Sequence, residues 1–64
     1  MYTKTLIKID GKKLATSRKK AGISQIDLSA MTGIKQEYIS YIETGKVKSI
    51  HKKTKEKLNK IIQF

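Results

Sequence analysis

The chain has no cysteine, no proline and no tryptophan, and only one histidine, His51, in 64 residues. The absence of cysteine excludes disulfides and thiolate metal sites. A single histidine leaves no His-rich zinc set and no conventional Ser-His or Cys-His catalytic centre. Neither an enzyme nor a metal or cofactor protein is therefore expected, and His51 reads as a solvated helix residue. Acidic residues are scarce, five against fifteen Lys and Arg. Long apolar runs are missing as well. None approaches the roughly 20 residues of a membrane span. The opening MYTKTLIKID has no apolar h-region, so no secretory signal is expected.

What is present is positive charge. The formal net charge is +10 and the sequence pI is about 10.1. A pI above about 9 is the electrostatic footprint of a nucleic-acid binder. Lysines that neutralise phosphates gain affinity through counterion release, independent of sequence. A Lys-rich solvated surface would give the same charge without a partner, because net charge speaks to solubility and partners, not to fold. Arg18 is the sole arginine, and its position calls for a reason. Sixty-four residues allow one domain with one small core. A domain of this size buries only about 60% of its unfolded surface, so oligomerisation or ligand binding is expected to support it.

Along the chain, residues 1–9 form an N-terminal strand or arm. Thr3, Thr5, Ile7 and Ile9 alternate with Lys4, Leu6 and Lys8, the period of a short strand. Such a strand pairs inside the chain, pairs with another subunit, or frays. Residues 10–64 form the rest. Asp10 is a suitable N-cap for a first helix running to about Lys20 or Ala21. Leu14, Ala15, Arg18 and Ala21 line its inner stripe, and Gly22 ends it. Ser24 caps a second helix, with Asp27 three residues on as a short capping box. Leu28, Ala30 or Met31, and Thr32 are expected on its inner side. Gly33 supplies the sharp turn into a third helix, about Gln36 to Thr44, with Ile34 plugging the turn and Ile39 and Ile42 inward. After Gly45, the residues Val47, Ile50, Thr54, Leu58, Ile61 and Ile62 recur at spacings of three and four. They predict one closing amphipathic helix, or a short turn followed by a helix.

Ser24 to Lys46, SQIDLSAMTGIKQEYISYIETGK, thus places two short helices around one glycine, with polar side chains outward on the second. This resembles the Cro/repressor-type helix-turn-helix family, also described as lambda-repressor-like or xenobiotic-response-element type. The residues that carry the resemblance are Arg18, Gly22, Ser24-Gln25, Leu28, Gly33-Ile34, Ile39-Ser40, Ile42-Glu43 and Gly45-Lys46. It covers about Asp10 to Ile62, with the motif itself at residues 25–44. Any one piece is weak; their joint spacing is specific. It implies an all-α domain of four to five helices, here preceded by the short strand.

The outward positions of the third helix suit base edges. Gln bonds adenine bidentately, Ser is adaptable, and Glu accepts from a cytosine amine. The resemblance implies base reading by Gln36, Glu37, Ser40 and Tyr41. It implies phosphate contacts from Ser24, Gln25, Thr44, Lys46 and Lys48, with Gln25 also bracing Gln36. Lys35 is expected to reach a phosphate. Tyr38 is expected to cover the seam between the second and third helices and offer its hydroxyl to another phosphate. An ordinary solvated face and simple N-capping by Ser24 are the structural alternatives. Arg18 and Glu43 are implied as a partly buried salt bridge, for which a planar guanidinium fork is better suited than Lys.

Three residues depart from the family pattern. Lys35 stands where Ser or Thr often caps the third helix, and it cannot accept a hydrogen bond. Ser29 stands where Ala is favoured. Glu37 brings negative charge near the phosphates, acting on the helix dipole or selecting cytosine.

The reading is a sequence-specific, double-stranded DNA-binding regulator, a small homodimeric repressor of a mobile element, plasmid or phage. It is expected in the bacterial cytoplasm, nucleoid-associated when bound. Dimerisation would use Thr3–Ile9 as an intersubunit strand pair or the apolar end Ile61–Phe64. The alternative is an antitoxin-type interaction module that also binds DNA. A membrane-surface peptide built on the basic C-terminal helix would leave the glycine-punctuated motif unexplained.

Overall fold

The computed structural model describes residues 5–64. The order is β1 (Leu6–Lys8), α1 (Gly11–Lys20), α2 (Gln25–Thr32), α3 (Gln36–Glu43), β2 (Ser49–His51) and α4 (Lys52–Ile61). Four helices and a two-stranded antiparallel sheet enclose one core. Among the described residues no helix is long and apolar enough to cross a membrane.

Local chemistry sets the first helix ends where the sequence predicts them. The Asp10 carboxylate accepts from Lys12 N–H at 3.0 Å and starts α1. Arg18, Lys19 and Lys20 fill its last turn, where positive charge meets the negative end of the helix dipole. The helix then closes in a Schellman pattern. Ile23 N–H donates to the Arg18 carbonyl at 3.1 Å and Gly22 N–H to that of Lys19 at 3.0 Å. Gly22 sits at φ +71°, a left-handed conformation that a side chain would strain. Ser24 Oγ accepts from Asp27 N–H at 3.0 Å and opens α2.

Between α2 and α3 the chain is held by side chains as well as by Gly33 (φ +75°). Ser29 Oγ donates to the Ile34 carbonyl at 2.5 Å. Thr32 Oγ1 donates to the Leu28 carbonyl at 2.7 Å and accepts from Ile34 N–H at 3.2 Å. Ser29, a departure from the family's alanine, is therefore a clamp on the turn.

The core consists of Leu14, Leu28, Ile34, Ile39, Ile42, Ile50, Leu58 and Ile62. Burying a side chain of this kind contributes about 1.5–3 kcal/mol. The expected inner residues of α2 need correction. Leu28 is buried and Thr32 half-buried, but Ala30 is exposed, as is Met31 at 56%. At about 100° per residue Ala30 lies about 160° from Leu28, and Met31 about 60° from it on the side away from Thr32, so the inner face of α2 is centred between Leu28 and Thr32. Ala21 is likewise exposed, because it is the C-cap of α1.

The segment after Gly45 also differs from the predicted helix. Ser49–His51 is a strand, paired as Leu6↔His51, Ile7↔Ile50 and Lys8↔Ser49. Ile50 faces the core beside half-buried Ile7, and α4 begins only at Lys52. His51, read as a helix residue, ends β2 and is the exposed N-cap of α4. The N-terminal strand thus finds its partner within the chain. Thr3 and Lys4, part of the predicted strand, lie outside the described residues.

Gly11 meets a constraint that sequence spacing does not reveal. A Cβ at this position would lie 1.8 Å from the Ile42 carbonyl oxygen and 3.1 Å from Glu43 Cα. The start of α1 therefore rests directly on the end of α3. Forcing a group into a packed contact costs about 1–3 kcal/mol, and a backbone neighbour cannot swing aside. Gly11→Ala is expected to lower unfolding free energy by at least the upper part of that range in urea titration, with α1 still helix-competent because Ala is the better helix former. An unchanged midpoint would contradict the close approach.

Candidate nucleic-acid interface

α3 is amphipathic with its two faces cleanly divided. At about 100° per residue, Gln36, Ser40, Thr44, Glu37 and Tyr41 fall within an arc of about 140°. Ile39 and Ile42, on the opposite side, are fully buried. Gln36, Glu37, Tyr41 and Thr44 are exposed, and Ser40 is half-buried. The four residues expected to read bases are therefore brought together on one outward surface. Tyr38 lies about 60° beyond that arc, half-buried and packed against the core.

Charge borders the surface. Lys35, Lys46 and Lys48 are all exposed. Lys35 is the N-cap of α3 and makes no side-chain cap bond, leaving its ammonium at the head of the helix. Lys46 Nζ stands 5.2 Å from the centroid of the Tyr41 ring, within cation–π range. A predicted phosphate ligand and a predicted base reader are thus in contact. Thr44 Oγ1 donates back to the Ser40 carbonyl at 2.9 Å, so its proton is already engaged within α3. Ser24 accepts from Asp27, and its hydroxyl donates to no group among the described residues.

Behind the surface lies an ion pair. Arg18 Nε donates to Glu43 Oε2 at 2.7 Å and Nη2 to Oε1 at 3.0 Å, a bidentate fork. Arg18 Nη1 donates to the Ile23 carbonyl at 2.8 Å. Gln25 Nε2 donates to Glu43 Oε1 at 2.9 Å. The two charged side chains are only 9% and 7% exposed. Arg18 reaches Glu43 because α1 and α3 are packed through Gly11, and Gln25 reaches it from the first turn of α2. Burial pushes the Glu43 carboxyl up. The hydrogen bonds from Arg18 and Gln25, with the charges of Arg18 and Lys19, outweigh this and hold it below the usual glutamate range. The Glu43 hydrogen bond raises Arg18 further, against the opposing effect of its burial.

Sequence reasoning anticipated the Arg18–Glu43 pair but not the rest of this cluster. Gln25, for which the resemblance implies a phosphate contact and bracing of Gln36, donates from its amide to Glu43. The Ile23 carbonyl as a third partner carried no sequence signal, since it is a backbone group.

A helix-turn-helix family model matches residues 14–63. The chain belongs to the Cro/C1-type helix-turn-helix family. No curated protein and no solved structure matches it. As a helix-turn-helix protein it is a DNA-binding regulator, and α2 with α3 forms the two-helix unit of that name.

The buried pair makes two testable statements about this helix-turn-helix. Removing one partner of a buried pair strands the other charge at a cost of about 3–5 kcal/mol. Arg18→Ala should reduce unfolding free energy by that order in denaturant titration, whereas Lys20→Ala, on an exposed residue of the same helix, should change it little. The second concerns pH. Glu43 is lowered on folding, so its contribution is complete above the ordinary glutamate pKa of about 4.3 and is lost as pH falls through the lower folded value. Glu43→Gln should be less stable than the parent at pH 7, and the gap should close steadily below about pH 4. A gap that stays constant with pH would exclude a pH-linked role for the carboxylate.

Proposed function

We propose that α3 enters the major groove of double-stranded DNA and that Gln36, Glu37, Ser40 and Tyr41 read base edges there. The observation that carries this reading is the continuous polar arc of α3, set on a fully buried Ile39–Ile42 back. A helix buried on one side and polar on the other, at the surface of a chain of charge +10, fits a groove lined by phosphates. Lys35, Lys46 and Lys48 contact the backbone on either side, with Ser24 and the Tyr38 hydroxyl as neutral donors. Such contacts fix register and carry no sequence information. Gln25 and Thr44 contribute less directly, since each has a donor committed inside the fold.

The regulator acts as a homodimeric repressor that occupies a pseudo-palindromic operator of a mobile element, plasmid or phage. Half-sites would lie about one helical turn, ~34 Å, apart. Two segments offer the dimer contact. β1 has one edge bonded to β2 and carries Leu6, 60% exposed. At the C-terminus Ile62 is buried in the protein's own core and Phe64 packs against it, which leaves Ile61, 38% exposed.

Binding-site selection with the purified protein, at two salt concentrations, tests this reading. Two symmetric arms in the selected sequences are expected, with affinity falling steeply as salt rises. A steep salt dependence with no selected sequence would reduce the protein to a nonspecific basic binder. Within the same assay Glu37→Gln should alter preference at one base position. An identical selected sequence would assign Glu37 to the α3 dipole instead.

A further inference from the structure

Most of the positive charge lies away from α3, and α4 carries a separate concentration of it. At about 100° per residue, Lys52, Lys53, Lys57 and Lys60 fall within one arc of about 140° on α4, with Glu56 as the only acid among them. All four lysines are exposed. Lys55 lies outside the arc, half-buried, with its Nζ 4.5 Å from the Phe64 ring centroid.

Local electrostatics do not favour this arrangement for the helix itself. The first turn of α4 has no acidic residue, begins with Lys52 and Lys53, and has no side-chain cap from His51. Positive charge at the positive end of a helix dipole is unfavourable unless an anion answers it. Glu56, four residues from Lys52 and from Lys60, and the Thr5 carbonyl that accepts from Lys52 N–H answer this charge only in part, and residues that break a local rule point to function.

The face is also remote from the recognition surface. No Cα of α4 comes within 8 Å of one in α3, although both helices bury side chains in the same core. Two helices that face a common core without touching turn their outer sides in different directions. The lysine arc of α4, opposite buried Leu58, is thus a different face from the polar arc of α3, opposite buried Ile39 and Ile42. Among polyanions the chemistry favours a phosphate backbone over an anionic membrane. Membrane binding by a basic helix needs an apolar face to insert, and that of α4 is occupied, with Leu58 fully buried and Ile62 just beyond it 4% exposed. Lys52 to Lys60 span about 12 Å of helix axis, and duplex DNA presents a charge every ~1.7 Å. Four ammonium groups on that length match a short stretch of backbone.

We propose that the Lys52, Lys53, Lys57 and Lys60 face of α4 is a second, sequence-independent binding surface for duplex phosphates, so that one molecule holds two DNA segments. This goes beyond operator reading by α3. It rests on DNA binding by the family but not on base recognition, so its test uses mixed-sequence DNA and stands apart from binding-site selection.

The test uses the full chain, one immobilised duplex of mixed sequence and a second, fluorescent one, at low salt. The wild type is expected to capture the second duplex. The K52Q/K53Q/K57Q/K60Q variant should still bind the immobilised duplex within about threefold but lose at least about tenfold in capture. The salt slope of the capture step should fall by about 3–4, near one per phosphate contact removed. Thermal unfolding checks that the variant folds; if it melts early, K53Q/K57Q replaces it, with a proportionally smaller loss of capture. Three results overturn the proposal. The wild type captures no second duplex; the variant captures it as well as the wild type, which assigns bridging to paired α3 surfaces; or the variant loses the immobilised duplex as fully as the fluorescent one, which places α4 on the same DNA as α3.

Discussion

The arrangement of this domain depends on one buried ion pair. Arg18 and Glu43 join α1 to the end of α3, and through Gln25 and the Ile23 carbonyl they also hold the entry to α2. Three helices are thereby indexed on a single carboxylate. A buried pair adds little net stability over apolar residues of the same size, because desolvation offsets much of the attraction. Its contribution here is orientation. The guanidinium fork accepts only a narrow set of carboxylate positions, so the end of α3 is fixed in rotation as well as in distance. The polar arc of α3 takes its direction from that constraint.

The second constraint is size. Eight of the described residues form the core, and none of the short helices could stand alone in water. Backbone contacts therefore do what a larger core would do elsewhere. Gly11 lets α1 approach the α3 backbone without an intervening side chain. Ser29 and Thr32 tie the α2–α3 turn by hydroxyls. The β1–β2 pair closes the end of the core over Ile50, and Lys52 N–H is taken up by the Thr5 carbonyl at 3.2 Å. With these held, α3 can leave one whole face to solvent.

The charge follows a different logic. Lys35 caps α3 and Lys46 lies over Tyr41, while α4 presents four further exposed lysines. The α4 set lies on a helix with no Cα within 8 Å of α3, although Lys48 stands only four residues before Lys52.

Much of the fold was legible because its signals are local. Asp10, Gly22, Ser24 and Gly33 act within four residues of themselves, through caps and positive φ, so the bounds of α1 and α2 could be read directly. The start of α3 without a side-chain cap was likewise visible in Lys35, which has no acceptor to offer. Ile39 and Ile42 were legible as its inner side because helical pitch leaves them little choice. The apolar spacing of Val47 and Ile50 misled, because three residues is a helical step and Ile50 is nevertheless in a strand. What makes it a strand is the backbone of Leu6–Lys8, at the other end of the chain. The same holds for Gly11, whose lack of a side chain matters only where Ile42 approaches, and for Gln25, whose amide meets Glu43 across the packed helices. The sequence by itself determined α1, α2 and α3, the caps at Asp10 and Ser24 and the polar face of α3, since those depend on neighbours three or four residues away. Only the tertiary structure decided the pairing of β1, the reach of Gln25 to Glu43 and the seating of Gly11 on Ile42, because each is a distance between residues that the chain order does not bring together.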